Sequence, residues 1–115
     1  MNEYRRAKRK HADEAIDVFD CMTEQSIGRI GNLSESGAML ICPQPLFEDA
    51  LYQLRFSIRD STGRERSVEV GAHHLWSDEA GSPGQHWCGL RFIDVTKDHL
   101  QIMRDWVETP GESYA

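Results

Sequence analysis

Two short groups of polar residues have the types and the spacing to bind a phosphorylated ligand. The first lies in the basic segment Arg5-Arg6-Ala7-Lys8-Arg9-Lys10, where Arg5 and Arg9 stand four residues apart. A guanidinium can form two parallel hydrogen bonds to a phosphate, or to the O6 and N7 edge of a guanine base. An extended chain separates the two arginines by ~13 Å, and a bend brings them closer. The two arginines could therefore bind different parts of one bulky anion.

The second group is the segment Asn32-Leu33-Ser34-Glu35-Ser36-Gly37. Asn32 carries both a hydrogen-bond donor and an acceptor, and Ser34 carries a hydroxyl. Gly37 allows a backbone conformation or a close approach that a side chain would block. The same residues also fit a turn in which Asn32 or Ser34 bonds to the backbone and a glycine closes the loop. Both interpretations stay open on these residues alone.

The two groups together resemble the ligand signature of a known family. Arg5 and Arg9 give the pattern R-x-x-x-R, and residues 32–37 give the pattern D/N-x-S-x-x-G. In this order, ahead of a strand-rich body, they resemble the motifs of PilZ domains. The segment His86-Trp87-Cys88-Gly89-Leu90-Arg91-Phe92 is similar to the last barrel strand of that family. The resemblance covers the chain from Tyr4 to about Val107, and it implies a bacterial receptor for the second messenger cyclic di-GMP.

The resemblance also implies which residues contact the ligand. In the family both arginines of the first motif contact base and phosphate, and some members stack a tryptophan on guanine near the position of Trp76. The structural alternative for Trp76 is a core or rim residue. Tyr4 precedes Arg5 where members that bind two intercalated ligand molecules have arginine, so one molecule and an intercalated dimer both stay open. The predicted ligand-binding residues are Arg5, Arg6, Arg9, Asn32, Ser34, Gly37 and Trp76.

The charge distribution favours a small anionic ligand over a nucleic-acid polymer. The net charge is −6, yet five basic residues fall between Arg5 and Lys10, and residues 11–115 hold 8 basic and 18 acidic side chains. Binding to a nucleic-acid polymer needs a broad cationic face, which this acidic body lacks. The alternative for the basic run is a solvated tail without a ligand.

Hydropathy and cysteine usage indicate a cytoplasmic protein that does not insert into a membrane. The longest apolar run is the five-residue segment 38–42, far short of the ~20 residues of a membrane helix. No apolar segment follows the basic N-terminus, so it does not resemble a secretory signal. The three cysteines form an odd set without C-x-x-C spacing, which is typical of reduced thiols in a cytosol.

The 115 residues predict one domain of the mainly β class. We expect a flexible basic arm at 1–12, a six-stranded antiparallel PilZ-like barrel with a C-terminal helix at 13–109, and a disordered tail at 110–115. The barrel form depends on the resemblance, because pattern alone does not separate it from a sandwich. Predicted strands cover 15–22, 26–33, 38–42, 51–59, 66–76 and 87–93, and a helix capped by Thr96 covers 97–108.

Alternation and helical spacing predict which side chains face the core. The first strand places Ile16, Val18 and Met22 on one face, and the strand at 66–76 does the same with Val68, Val70, Ala72, His74 and Trp76. The helix carries the apolar stripe Leu100, Met103 and Val107, flanked by Trp106. The stripe indicates packing against the barrel, and an exposed Trp106 would instead indicate a partner surface.

Other chemistries fit less well. A zinc site from His73, His74, His86 and Cys88 is disfavoured, because neighbouring residues of a strand point to opposite faces. Ser34 and Cys42 have no base placed for nucleophilic catalysis, so we do not expect an enzyme. The favoured function is an adaptor that changes its arm conformation on binding cyclic di-GMP and regulates a partner protein in motility, chemotaxis or exopolysaccharide output. The alternative is a PilZ-fold interaction module that does not bind the nucleotide.

Overall fold

An antiparallel β-barrel and a C-terminal helix make up residues 8–109, the part of the chain that this computed structural model describes. The strands are β1 (Lys10–His11), β2 (Asp17–Asp20), β3 (Gln25–Leu33), β4 (Gly37–Cys42), β5 (Leu51–Arg59), β6 (Glu65–Glu79) and β7 (His86–Asp94), and the helix is α1 (Lys97–Glu108).

Strands β2 to β7 close on themselves. They follow the order β3-β2-β5-β6-β7-β4, and β3 pairs again with β4 to complete the ring. Every pair is antiparallel. Each strand of the ring pairs with a neighbour on both sides, and its alternate side chains fill the interior. The predicted six-stranded barrel is therefore confirmed.

The hairpin of β5 and β6 shows how the sequence pattern builds the interior. Leu54, Phe56 and Ile58 of β5 are buried, as their alternation predicts. The turn that follows begins at Asp60, whose carboxylate accepts hydrogen bonds from the backbone N–H and hydroxyl of Thr62 and from the N–H of Arg64. An aspartate at the start of such a turn stabilises it by replacing a backbone acceptor.

The Asp60 turn gives a pH-dependent contribution to stability. The hydrogen bonds from Thr62, first its hydroxyl and then its N–H, lower the pKa of Asp60 from 3.8 to about 2. A carboxyl group whose pKa is lower in the folded state contributes stability above its unfolded pKa, and loses it as the pH falls through the folded value. Asp60→Asn removes this charge. We expect the difference in unfolding midpoint between wild type and Asp60→Asn to be largest above pH 4 and to shrink towards pH 2.

Thermal unfolding followed by circular dichroism at pH 5, 4, 3 and 2 measures that difference. A difference that stays constant over this range would show that the turn hydrogen bonds do not depend on the charge of Asp60.

The predicted first strand is shorter than its pattern suggests. β2 begins at Asp17, and residues 21–24 form a turn that ends at Glu24 with a φ of +59°. Ile16 and Val18 are buried as predicted, but Met22 is 83% exposed, so its assignment to the same face is wrong. The physical reason is the turn, which ends the alternation before Met22.

A bulge in β6 reverses the prediction for Trp76. Val68, Val70, Ala72 and His74 are buried together, as alternation predicts. The register then shifts, because His74 pairs with Leu90 and Trp76 pairs with Gly89, so that Leu75 is an extra residue. An extra residue changes the face of everything after it. Trp76 therefore lies on the outside of the barrel and is 46% exposed.

The short strand β1 is absent from the sequence prediction. Lys10 pairs with Leu33 and His11 pairs with Asn32, so the end of the predicted arm lies against β3. Two polar residues are too few to show a period, and tertiary pairing alone identifies them as a strand. The flexible arm predicted at 1–12 and the disordered tail predicted at 110–115 stay predictions, and residues 1–7 and 110–115 lie outside the described residues.

Helix α1 has the bounds that the sequence predicts. The hydroxyl of Thr96 accepts a hydrogen bond from the N–H of His99 at 3.3 Å and caps the first turn. Ile102, Met103, Trp106 and Val107 are buried in the same core as the barrel strands. Trp106 is thus a packing residue, not part of an exposed partner groove. Between residues 8 and 109, no helix is long and apolar enough to cross a membrane.

Candidate functional site

A hydrogen bond joins the two sequence motifs within the described part of the chain. Nη1 of Arg9 donates to Oδ1 of Asn32 at 3.0 Å, although 23 residues separate them. The pairing of His11 with Asn32 holds the arm in this position, because it aligns β1 along the C-terminal end of β3. Arg5 and Arg6, the other predicted arm residues, lie outside the described part of the chain. Arg9 and Asn32 are therefore the two predicted site residues whose side chains the structure brings into direct contact.

Ser34 shapes the motif loop from within. Its side chain is 0% exposed. The Oγ atom accepts a hydrogen bond from the N–H of Ser36 at 3.1 Å and donates to the carbonyl oxygen of Gly37 at 3.3 Å. These are the bonds of the serine turn that the sequence left as an alternative. In this conformation the hydroxyl is engaged inside the loop and is not presented to a ligand.

Gly37 is required by the close approach of two strands. A Cβ atom at Gly37 would lie 2.4 Å from the carbonyl oxygen of Leu90 in β7. Real Cβ atoms do not come this close to backbone, so any side chain would push β4 away from β7. Of the two roles that the sequence offered for this glycine, the structure shows the close approach. Gly37 thus fixes the loop where β4 meets β7, and its contact with a ligand stays a prediction.

Asn32 and Trp76 lie in one row across the outside of the barrel. Asn32 pairs with Met39, Met39 pairs with Gly89, and Gly89 pairs with Trp76, so the row crosses β3, β4, β7 and β6. Paired residues in a sheet point to the same face. A Cβ atom at Gly89 would lie 2.3 Å from the indole of Trp76, which means that the ring covers this glycine. The row therefore has a polar end at Asn32 and an aromatic end at Trp76.

Two cations that lie near the motifs are not among the residues predicted for the site. Arg91 is exposed on the outer face of β7, where it pairs with Gly37 of the motif loop on one side and with His73 on the other. The alternation of β7, in which Cys88 and Leu90 face inwards, could have identified it as an outward residue. Lys10 is the second cation, and its complete burial has no sequence pattern that could have predicted it.

His73 and His74 have structural partners. Nε2 of His73 lies 2.5 Å from a carboxylate oxygen of Asp49, on the outer face. His74 is buried, and its ring contacts the carbonyl oxygen of Phe47 at 2.7 Å and the hydroxyl of Ser77 at 2.8 Å. The two rings thus point to opposite sides of β6. Among residues 8–109 there is no group of three or more His, Cys, Asp or Glu side chains that could hold a metal ion.

This arrangement can recognise a planar, negatively charged ligand. Arg9 and Arg91 supply guanidinium groups for phosphates, Asn32 supplies an amide for a base edge, and Trp76 supplies an aromatic face. All four lie on or beside one outer surface of the barrel. The fold is a β-barrel domain, and this outer surface is its candidate ligand site.

The sequence places this domain in a family. Residues 3–109 match the PilZ domain. The chain therefore belongs to the PilZ domain family. A comparison with curated proteins found no match.

Two solved structures have the same fold. One is the inhibitor of motility MotI (DgrA) from Bacillus subtilis, with a TM-score of 0.73 and 16% sequence identity, covering 91% of this chain and 50% of MotI. The other is the PilZ domain of YcgR from Escherichia coli with c-di-GMP, with a TM-score of 0.66 and 14% identity, covering 91% of this chain and 89% of that one. This chain thus spans about half the length of MotI.

Proposed function

We propose that this protein is a cyclic di-GMP receptor that passes the binding event to a partner protein through its arm. The observation that carries this proposal is the hydrogen bond from Arg9 to Asn32, because it joins the R-x-x-x-R motif to the D/N-x-S-x-x-G motif at one place on the barrel. The solved complex of the YcgR PilZ domain with c-di-GMP supports the choice of ligand. The PilZ match covers both motifs.

The ligand binds between the arm and the outer row of the barrel in this proposal. Arg9 has five N–H donors, so its single bond to Asn32 leaves donors for a phosphate or a guanine edge. Arg5, and to a smaller extent Arg6, complete the cationic arm. Asn32 is buried beneath Arg9 and reaches the base when the guanidinium moves aside. Ser34 and Gly37 act on the ligand indirectly, by holding the loop that carries Asn32.

Trp76 and Arg91 extend the proposed site. Trp76 lies at the far end of the same row, where its indole could stack on a guanine. Stacking on an aromatic side chain is worth ~1–3 kcal/mol per base. Arg91 adds a cation beside the motif loop for the second phosphate. Whether one ligand molecule or an intercalated dimer binds depends on the arm, where Tyr4 replaces a third arginine.

Regulation of a partner is the second part of the proposal. Ordering of an arm by a ligand changes the surface that another protein meets. MotI is named an inhibitor of motility, which supports a motility-related output among the possible ones. We place the protein in the bacterial cytoplasm, without enzymatic activity and without a nucleic-acid polymer as partner.

Isothermal titration calorimetry of the full chain with cyclic di-GMP tests the function. We expect saturable heat with a Kd below ~100 µM, which corresponds to more than ~5 kcal/mol of binding free energy. The fluorescence of the exposed Trp76 gives a second measurement, because a stacked guanine quenches an indole. Trp76→Phe keeps an aromatic ring and should lose most of this quenching.

The competing function is a PilZ-fold interaction module that does not bind the nucleotide. The outcome that favours it is the absence of both heat and quenching up to ~100 µM ligand in protein that remains folded by circular dichroism.

A further inference from the structure

Lys10 connects the arm to the far end of α1. Its Nζ atom donates to the carbonyl oxygens of Trp106 and Thr109, at 2.7 Å each, and lies 4.7 Å from the centre of the Trp106 ring. The last carbonyl groups of a helix lack partners within the helix, and the helix dipole favours a cation there. Since α1 has no basic residue of its own in the last turn, Lys10 caps the helix from the other end of the chain.

The complete burial of Lys10 shows how specific this contact is. The side chain is 0% exposed, and removing an ammonium group from water is unfavourable unless it is paired or hydrogen-bonded. Two carbonyl oxygens and the face of an indole supply that compensation. An arm that only held a flexible cation for a ligand would leave its lysines in solvent.

Two further contacts tie α1 to the ligand motifs. Lys8 of the arm lies 3.5 Å from Glu108 in the last turn of the helix. Glu35 of the motif loop accepts a hydrogen bond from Arg104. A gap of about 40 Å³ is lined by Lys8, Glu35, Arg104, Val107 and Glu108, which shows that arm, loop and helix meet at one place. α1 is therefore attached to both halves of the proposed ligand site.

Arg9 and Lys10 are adjacent but point in opposite directions. Arg9 contacts Asn32 on the outside of the barrel, and Lys10 contacts Trp106 in the interior. Successive side chains of an extended chain alternate in this way. A movement of the backbone that repositions Arg9 must therefore also change the hold of Lys10 on the helix.

We propose that Lys10 is a positioning residue that couples ligand binding at Arg9 and Asn32 to the docking of the C-terminal end of α1. This inference rests on the proposed function, because it needs a ligand that holds the arm. A ligand that fixes Arg9 also fixes Lys10 beneath Trp106, so the last turns of α1 become more protected. Thermodynamic linkage requires the reverse effect, in which loss of the helix contact weakens ligand binding.

Hydrogen exchange of the α1 amides tests the coupling in the full chain, with and without cyclic di-GMP, in wild type and Lys10→Met. The control is Lys97→Met, which removes the same charge from the exposed first turn of α1. In the free protein we expect Lys10→Met to speed exchange over residues 103–109 about tenfold and Lys97→Met to change it by less than about twofold. These are the effects of losing and of keeping a helix cap.

The measurements with cyclic di-GMP show whether ligand binding and helix docking are coupled. We expect cyclic di-GMP to slow exchange at residues 103–109 of wild type by about fivefold, and to have no such effect in Lys10→Met. Calorimetry should show that Lys10→Met binds cyclic di-GMP about fivefold more weakly, as reciprocity requires. A merely structural lysine would alter exchange in the free protein without altering the response to the ligand.

Three outcomes would overturn the proposal, and they differ from one another. Unchanged exchange in free Lys10→Met would show that Lys10 does not hold the helix. Ligand binding to wild type without a change in α1 would remove the coupling and leave the receptor function intact. A wild type that binds no cyclic di-GMP would contradict the proposed function, and with it the ligand-dependent step.

Discussion

Replacing Arg9 by alanine should weaken the binding of cyclic di-GMP by ~2 kcal/mol or more, about a 30-fold rise in Kd. The physical reason is the loss of a guanidinium fork at the point where the two motifs meet, 3.0 Å from Oδ1 of Asn32. Charge-assisted hydrogen bonds are about twice as strong as neutral ones, and a lysine cannot reproduce their paired geometry. Arg9→Lys should therefore recover less than half of the lost binding free energy. Arg5→Ala, from the same motif, should have an effect of similar size.

The control for this prediction is Arg64→Ala. Arg64 is an exposed arginine in the turn between β5 and β6, where the backbone and not the side chain contacts Asp60. Arg64→Ala removes one positive charge outside the proposed site, so the Kd for cyclic di-GMP should change by less than about twofold. Calorimetry on all four variants gives the comparison. Equal Kd values for Arg9→Ala, Arg5→Ala and Arg64→Ala would exclude the assigned role of both motif arginines.

Replacing Gly37 by alanine should lower the free energy of unfolding by about 3 kcal/mol, the upper range for overpacking in a close-packed structure. The new Cβ atom would lie 2.4 Å from the carbonyl oxygen of Leu90, and backbone cannot rotate away as a side chain can. For a domain of this size the unfolding midpoint should fall by about 10 °C. Urea denaturation followed by tryptophan fluorescence measures the change in free energy directly.

Gly63→Ala is the matched comparison. Gly63 has a φ of +83°, but nothing lies within 4 Å of a Cβ atom built there. Gly63→Ala measures the free-energy cost of a left-handed backbone conformation without a steric conflict, which is about 1 kcal/mol. If Gly37→Ala proves no more destabilising than Gly63→Ala, the close contact between β4 and β7 does not explain the glycine of the motif. That result would favour a direct contact between Gly37 and the ligand.

The regular elements could be predicted from the sequence because local pattern and tertiary packing agree there. Strand β5 alternates without interruption from Leu51 to Arg59, and α1 has a threonine cap and an apolar stripe at helical spacing. In both cases one face is buried against the same core. The prediction fails where a single extra residue changes the face, as at Leu75, because alternation alone does not show a bulge.

The candidate site was predictable in part. Motif spacing identified Arg9 and Asn32, and the structure places them in contact, while their role in ligand binding stays a prediction. The residues that hold the candidate site in place could not be identified from the sequence. In the sequence, Lys10 cannot be distinguished from the solvated cations of the basic run. Only the fold shows that its partner, the carbonyl oxygen of Trp106, is 96 residues away. Contacts over such sequence distances depend on how the chain closes, which no local pattern encodes.

The alternation between Arg9 and Lys10 also limits how the arm can move. If β1 slipped along β3 by a single residue, the ammonium group would be turned outwards and a guanidinium inwards, since successive side chains alternate. Both attachments would then be broken in the same step, and no intermediate alignment keeps one of them. The end of the arm should consequently behave as a two-state latch, which is either fully attached to the barrel and α1 or released from both at once.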